Sequence, residues 1–307
     1  MFTITPKILE ALNAIEPIVA ETTLEHEANQ DLWMPSDLIP QDHIFDADPP
    51  PELAGMLVLN LLTEDGLPYF TQTLCKHLGD EGALYDWIRL WTAEENRHGD
   101  AIKMSLRGSL SHEQMRAVEL LEFQYARIGF KPNFNNDPFQ MFGYVVVQEY
   151  ATQLSHKGIA QAAGSYDPVL QKLMAKIANE ERIHHKVYLR FFEALIEIDP
   201  SHAVQALLAA VKQFQMPGHG IANFDDLAKL QSRLDVFGPR QLGTIIKKVW
   251  DVLDLGSLSN LTDHADVARA NINKRIKALE RAAERLANAP KETVHLPFLG
   301  RDVTVNV

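Results

Sequence analysis

The chain has a single cysteine, Cys75, among 307 residues, so no disulfide can form within it and a reducing compartment is expected. Long apolar runs are also missing. The stretch Leu57 to Leu62 is among the longest and falls far short of a membrane span. Met1 to Thr22 carries one Lys and three Glu, with no small-residue cleavage pattern after an apolar core, so neither a signal peptide nor an Arg-rich transit peptide is expected. Cytoplasmic localisation follows. Positive charge is scarce, 29 Lys and Arg against 41 Asp and Glu, a net charge of −12. That excludes nucleic acid as a general partner, although a local basic patch could still dock an acidic protein. No stretch is low in complexity and none reads as a linker. With 46% apolar residues a large core is available, and residues 1–307 are expected to form one domain.

Helical spacing dominates the order of the chain. Residues 1–50 read as an N-terminal extension, a short helical pattern followed by extended chain from Trp33 to Pro51, where prolines stand at 35, 40, 49, 50 and 51. A core of long helices is expected over 52–198. The first spans 52–77, is nearly apolar on all sides from Leu53 to Leu62, and should kink near Glu64, because Pro68 offers no N–H to the Glu64 carbonyl. The second spans 82–106 and is ended by Gly108. Ser111 and Gln114 form a capping box for a third, running to about Ile128. Asp137-Pro138 and Asp167-Pro168 open two more, the latter reaching Ile198. Residues 201–289 supply additional, shorter helices, broken at 216–220 and near Gly238-Pro239. Residues 293–307 read as a small hairpin.

Glu95 and His98 are spaced i, i+3, and Glu181 and His184 repeat that spacing 86 residues later. Residues three apart share one helix face, so each pair offers a carboxylate and an imidazole to one ion. A Glu precedes each pair at matched distance: Glu64 is 31 residues before Glu95, and Glu149 is 32 before Glu181. A third match, Glu292 to His295, is set aside because it falls in the strand-like tail. One such pair alone would read as a surface ion pair. Two, each with a Glu on an apolar helix, do not, since a buried carboxylate costs several kcal/mol unless paired or metal-bound. The order Glu, Glu-x-x-His, Glu, Glu-x-x-His is the ligand plan of ferritin-like di-iron carboxylate bundles. The expected fold is therefore all-α, a ferritin-like four-helix core with added helices and the hairpin. Four carboxylates neutralise two divalent ions, and oxygen-rich donors with one imidazole per ion suit iron or manganese rather than structural zinc.

The strings carrying these residues resemble the soluble acyl-acyl-carrier-protein desaturases, the family of the plant stearoyl-carrier-protein Δ9 desaturases. They are Thr63 to Pro68, Trp91 to Asp100 (WTAEENRHGD), Gln148 to Thr152, Glu180 to His184, Glu197 to Pro200, Met216 to His219 and Pro297 to Val303, in family order over nearly the whole chain. The resemblance implies two iron ions per subunit on Glu64, Glu95, His98, Glu149, Glu181 and His184, with Glu95 and Glu181 bridging. It also implies a homodimer and an apolar channel past the metals. By the same resemblance Thr152 would help handle protons, while Trp33 and Glu180 would mark an electron entry route. Glu180 stands where the plant enzymes usually carry Asp, Tyr150 replaces the family's Arg, and Arg182-Ile183 replaces its Lys-Arg. The loop between Leu74 and Trp87 is also shorter.

The implied reaction is oxidation of a CH₂–CH₂ pair in a carrier-bound fatty acyl chain to a cis alkene. It would use O₂ and two electrons from a ferredoxin-type donor. The carrier is acidic, and Lys274 to Arg285 or Lys247-Lys248 are the candidate docking cations. The alternative is a related di-iron oxygenase that adds a hydroxyl to a carrier- or coenzyme-A-bound chain. A ribonucleotide-reductase radical subunit would carry Tyr four residues after the first His; here that position is Ile102.

Overall fold

The computed structural model describes residues 5–130, 132–290 and 292–305. Twelve helices and one hairpin lie among them: α1 Pro6–Asn29, α2 Pro35–Leu38, α3 Pro51–Glu64, α4 Leu67–Leu78, α5 Ala83–Ser109, α6 His112–Ile128, α7 Pro138–Ala163, α8 Pro168–Ile198, α9 Pro200–Lys212, α10 Phe224–Arg233, α11 Pro239–Val252, α12 Asp263–Ala287, β1 Glu292–Leu296 and β2 Arg301–Val305. The fold is all-α apart from the hairpin. None of the described helices is long and apolar enough to cross a membrane.

The helix starts follow their capping chemistry. Ser111 accepts from the Gln114 N–H while Gln114 reaches back to the Ser111 N–H, closing the capping box. Asp137 caps α7, and Asp167 accepts from the N–H groups of Val169 and Leu170 at the start of the 31-residue α8.

Four expectations need correction. The opening helix is not short: α1 runs for 24 residues straight through Pro17 and packs on α5 and α8. The segment after it is not wholly extended, because Pro35 at a first helical position starts the single turn α2. The helix expected over 52–77 is broken, not kinked. α3 ends at Glu64, Gly66 N–H bonds back to Thr63 O, and α4 restarts from the Gly66 carbonyl, which accepts from Tyr69 and Phe70. Pro68 accounts for the missing N–H. Gly66 accounts for the room: a Cβ there would stand 2.8 Å from the Tyr125 hydroxyl oxygen. Gly108 does not end its helix either. α5 continues to Ser109, and the glycine is needed because a Cβ would lie 2.5 Å from the Phe45 ring.

α3, α5, α7 and α8 form the centre, with α7 and α8 in the most extensive contact. α9, α11 and α12 layer on the outer side of α7. Sandwiched in this way, α7 is buried at every position from Pro138 to Thr152, so apolar residues stand on all its sides, with Gln140, Gln148, Glu149 and Thr152 the buried polar exceptions. α1 closes the open side of α5 and α8. The hairpin pairs antiparallel, Val294 against Val303, and its inward residues Val294 and Leu296 face α10 and α3. The last two residues of the expected 293–307 hairpin lie outside the described residues. Trp87, Trp91, Phe142, Tyr188, Phe191 and Phe192 are fully buried between the central helices. At about 1.5–3 kcal/mol for each large side chain, this packing offsets the cost of the carboxylates enclosed beside it.

Candidate metal centre

Each central helix delivers acidic or imidazole groups to one interior volume. Glu64 ends α3, Glu95 and His98 share a face of α5, Glu149 lies mid-α7, and Glu181 and His184 share a face of α8. Their donor atoms form two groups whose members lie within 4.8 Å of one another: Glu64, Glu95, His98 and Glu181 in one, and Glu95, Glu149, Glu181 and His184 in the other. All six residues expected from the sequence are brought together, and Glu95 and Glu181 belong to both groups.

The proton arrangement is directional. His98 donates through Nε2 to Glu180 of α8 at 2.9 Å, and His184 donates through Nε2 to Glu94 of α5 at 2.8 Å. The two bonds cross between α5 and α8 and turn both Nδ1 atoms inward. His98 Nδ1 lies 3.1 Å from Glu95 and 3.2 Å from Glu181, and His184 Nδ1 lies 2.8 Å from Glu95 and 3.6 Å from Glu149. An imidazole whose outer N–H is held by a carboxylate is the usual arrangement of a metal-ligating histidine.

Five buried atoms of these groups have no hydrogen-bond partner: Glu95 Oε1, Glu149 Oε1 and Oε2, Glu181 Oε1 and His184 Nδ1. Buried polar atoms are nearly always partnered, so these converging lone pairs fit cations held between them. Four carboxylates and two imidazoles make an oxygen-rich donor set suited to iron or manganese.

Electrostatics gives the same picture. Burial, reinforced by Glu95 and Glu181 and opposed by His156, raises the Glu64 carboxyl to about 7. Burial also holds Glu149 well above the usual range, with His184 opposing. Glu181 goes the other way: burial opposes ionisation, but the adjacent His156 and His98 imidazoles pull it well below its ordinary value. Glu94 falls to about 2 because His184 and His26 outweigh its burial.

Thr152 Oγ1 is 2.7 Å from Glu181 Oε2 and 2.9 Å from the Glu149 carbonyl, so its one hydroxyl hydrogen serves one of these acceptors. Trp33 donates through Nε1 to Glu180 at 3.0 Å, and its ring stacks on His98, 6.4 Å between centroids and 15° apart. Arg97 donates to the other Glu180 oxygen at 2.8 Å and to the Trp33 carbonyl.

Four contributors were missed from the sequence. Glu94 mirrors Glu180, each standing directly before a Glu-x-x-His, and that parallel was readable. His156 lies seven residues after Glu149 and four after Thr152, so it shares their face; its Nε2 is 3.0 Å from Glu64. Glu64 and Glu181 outweigh its burial and raise it to about 9. Arg97 sits inside the motif, yet only its contact with Glu180 reveals a role. His26, 3.0 Å from both Glu94 oxygens, is separated from it by 68 residues and left no signal.

A cavity of about 410 Å³ adjoins the centre. Its wall includes Leu59, Phe214, Met216, Phe237, Leu242 and Leu279 together with Glu64, Thr152 and His156. That size and mainly apolar lining suit a small hydrophobic ligand.

Comparison with known proteins agrees with this geometry. The family model described as fatty acid desaturase matches residues 7–298. The chloroplastic stearoyl-[acyl-carrier-protein] 9-desaturase 3 of Arabidopsis thaliana is 33% identical, over 98% of this chain and 84% of that protein. DesA1 of Mycobacterium tuberculosis, provisionally described as an acyl-[acyl-carrier-protein] desaturase, is 30% identical over 90% of this chain and 87% of that protein. The X-ray structure of DesA2 from the same organism, described in the same provisional terms, superposes with a TM-score of 0.61. It shares 19% identity and covers 81% of this chain and 97% of its own.

Proposed function

The chain belongs to the fatty acid desaturase family, and on that premise we propose that it is an acyl-[acyl-carrier-protein] desaturase, an O₂-dependent oxidoreductase that inserts a cis double bond into a carrier-bound fatty acyl chain. One observation carries the reading: two donor groups sharing Glu95 and Glu181 stand beside an apolar cavity whose wall includes Glu64 and Thr152. Glu64, Glu95, His98, Glu149, Glu181 and His184 are the proposed ligands of two iron ions. Iron held there supplies the dioxygen chemistry that removes two hydrogens from adjacent methylenes.

The protein's own work is to orient, to exclude water and to hold protons. Glu94 and Glu180 fix the two ligand imidazoles, and His26, Trp33 and Arg97 brace those carboxylates. Trp33 and Glu180 are the proposed electron route, their bond ending on His98, with a ferredoxin-type protein as donor. The Thr152 hydroxyl is a proton source beside Glu181. Trp87, Trp91, Phe142 and Phe191 pack out water, and the cavity wall lays one methylene pair against the centre. A homodimer and a reducing, cytoplasmic setting complete the reading.

Anaerobic loading with ferrous iron, reduction, and mass spectrometry after adding O₂ and a panel of acyl-carrier substrates tests it. Two irons per chain and a product short of two hydrogens are expected. A product that gains an oxygen atom instead would identify an oxygenase, and a protein that takes up no metal would exclude both.

The acidic carrier needs cations near the cavity. Leu279 lines the cavity from α12, and Lys274, Lys277, Arg281 and Arg285 are exposed on the same helix, spaced so as to share a face. Docking there makes KM for the carrier-bound substrate rise with ionic strength. The pair Lys277→Glu with Arg281→Glu is expected to raise KM by about tenfold or more while leaving kcat near its original value. An unchanged KM in steady-state assays would remove α12 as the docking face.

A further inference from the structure

The apolar lining of the cavity is interrupted by a band of uncharged polar side chains: Asn60 of α3, Ser155 of α7 and Gln231 of α10. They touch one another across the three helices. Gln231 Nε2 lies 2.8 Å from Asn60 Oδ1 and 3.2 Å from Ser155 Oγ, and Ser155 Oγ lies 3.0 Å from the same Asn60 oxygen. All three residues are buried.

The band stands between the mouth of the cavity and the metal centre. Exposed Asp225 and half-buried Ala228 and Lys229 of α10 mark the mouth, and Gln231 is two residues further along that helix. Glu64 and Thr152 line the inner end, where Thr152 Oγ1 is 2.7 Å from Glu181. Asn60 stands one turn before Glu64 on α3, and Ser155 stands three residues after Thr152 on α7. At about 1.5 Å per residue the band is therefore roughly 5 Å from the inner end. A substrate that reaches the centre from outside lays part of its length on the band.

Bare hydrocarbon is a poor occupant for that part. It excludes water from hydrogen-bonding groups and offers them nothing, and buried polar groups without partners are costly. A substrate oxygen suits the band. Two amides and a hydroxyl carry more N–H and O–H hydrogens than their mutual contacts and the 3.0 Å contact of Asn60 with His156 engage. Turning either amide exchanges an N–H for a carbonyl and leaves the band polar, so it accepts a carbonyl or a hydroxyl alike.

We propose that Asn60, Ser155 and Gln231 form an oxygen-binding subsite, which holds a substrate oxygen on the thioester side of the reacting carbons. That oxygen is the thioester carbonyl itself, or a hydroxyl or keto group on the chain. The proposal rests on the desaturase reading above and adds to it where along the chain the double bond falls. An extended chain advances about 3.3–3.6 Å for every three bonds, so an oxygen on the band puts the carbons beside Glu64 and Thr152 about five bonds away. An apolar wall lets a chain slide; the band fixes its register.

The test uses iron-loaded protein and three probes: an acyl-pantetheine thioester, the thioether in which CH₂ replaces the carbonyl, and that thioether carrying a 3-hydroxyl. Without O₂, calorimetry reads binding alone. Thioester binding about tenfold tighter than the plain thioether, the worth of a hydrogen bond, identifies the carbonyl as the held oxygen. A similar advantage of the hydroxylated thioether over both others identifies a chain oxygen. Equal binding of all three overturns the proposal. Gln231→Met with Ser155→Ala leaves Asn60 and His156 in place and is expected to bring the favoured probe down to the level of the plain thioether, whose own binding reports an intact fold. A favoured probe that keeps its advantage in this variant also overturns the proposal. With O₂ and reductant, mass spectrometry of the cleaved product locates the double bond. A chain that bends takes up more bonds, so a position within about eight bonds of the held oxygen is expected, and one further along overturns the subsite. A protein that binds the probes alike yet still forms an alkene keeps its activity and loses the subsite. One that binds none of them loses both.

Discussion

Replacing Glu149 by Met is expected to stabilise the metal-free protein while removing its activity. Glu149 is fully buried on α7, neither carboxylate oxygen has a hydrogen bond, and burial holds its carboxyl well above the usual range. An enclosed polar group without a partner costs about 1–3 kcal/mol, and Met fills similar space with an apolar chain that the neighbouring Val145 and Val146 can pack against. Thermal melts in the presence of a chelator should therefore show a gain of that order. The same change takes one of four donors from the group Glu95, Glu149, Glu181 and His184. Turnover should fall by more than the roughly 100-fold that outer-shell changes cost. Glu181→Met is the control with the opposite sign for stability. Glu181 accepts from Thr152 and lies between His98 and His156, so its loss strands buried donors and should destabilise by about 3–5 kcal/mol. A metal-free Glu149→Met protein that melts earlier than the original, or one that keeps its activity, would defeat this view of Glu149 as a ligand.

The contrast arises because a buried cluster able to hold metal carries its unmet charge as local instability. Four carboxylates around one volume repel one another, and the surrounding aromatic shell holds them there. Sequence reading reached this centre because helical spacing is a local property. Glu95 with His98, and Glu181 with His184, announce a shared face without any knowledge of what the face meets. The apolar run from Leu53 to Leu62 likewise announced burial. The outer carboxylates were harder to see, since their role depends on a crossing. Glu94 acts on a histidine of α8 and Glu180 on one of α5, so neither assignment exists until the two helices are packed. His26 is the extreme case: α1 must lie along α5 and α8 before it meets Glu94. Breaks in helices were misread for a related reason. Gly66 and Gly108 look alike as helix breakers, but beside Gly66 the Glu64 carbonyl lacks an N–H from Pro68, whereas Gly108 only makes room for Phe45.

The same stored charge predicts how pH divides the metal-free from the loaded protein. Glu64 is raised from 4.5 to about 7 by burial and by Glu95 and Glu181, so below about pH 7 a metal must displace its proton. Affinity at the Glu64 group should then fall about tenfold per pH unit for each proton displaced. Calorimetry in two buffers of different ionisation heat measures that release directly. More protons should leave per metal at pH 6 than at pH 8, Glu64 supplying the difference. For the metal-free protein the linkage runs the other way. A carboxyl raised from 4.5 to about 7 leaves stability intact below 4.5 and erodes it as pH rises through 7. His156, raised from 6.5 to about 9, has its contribution in full below 6.5 and loses it as pH passes 9. Glu94, lowered to about 2, opposes only at the acid end, its contribution being present above 4.5 and lost on the way down to 2. Melting temperatures of the chelated protein should thus decline from about pH 4.5 through pH 9, whereas those of the metal-loaded protein rise over the lower part of that range as binding tightens. Parallel curves for the two forms would mean that Glu64 holds no proton for the metal to displace, and the ligand assignment at the break between α3 and α4 would fail with it.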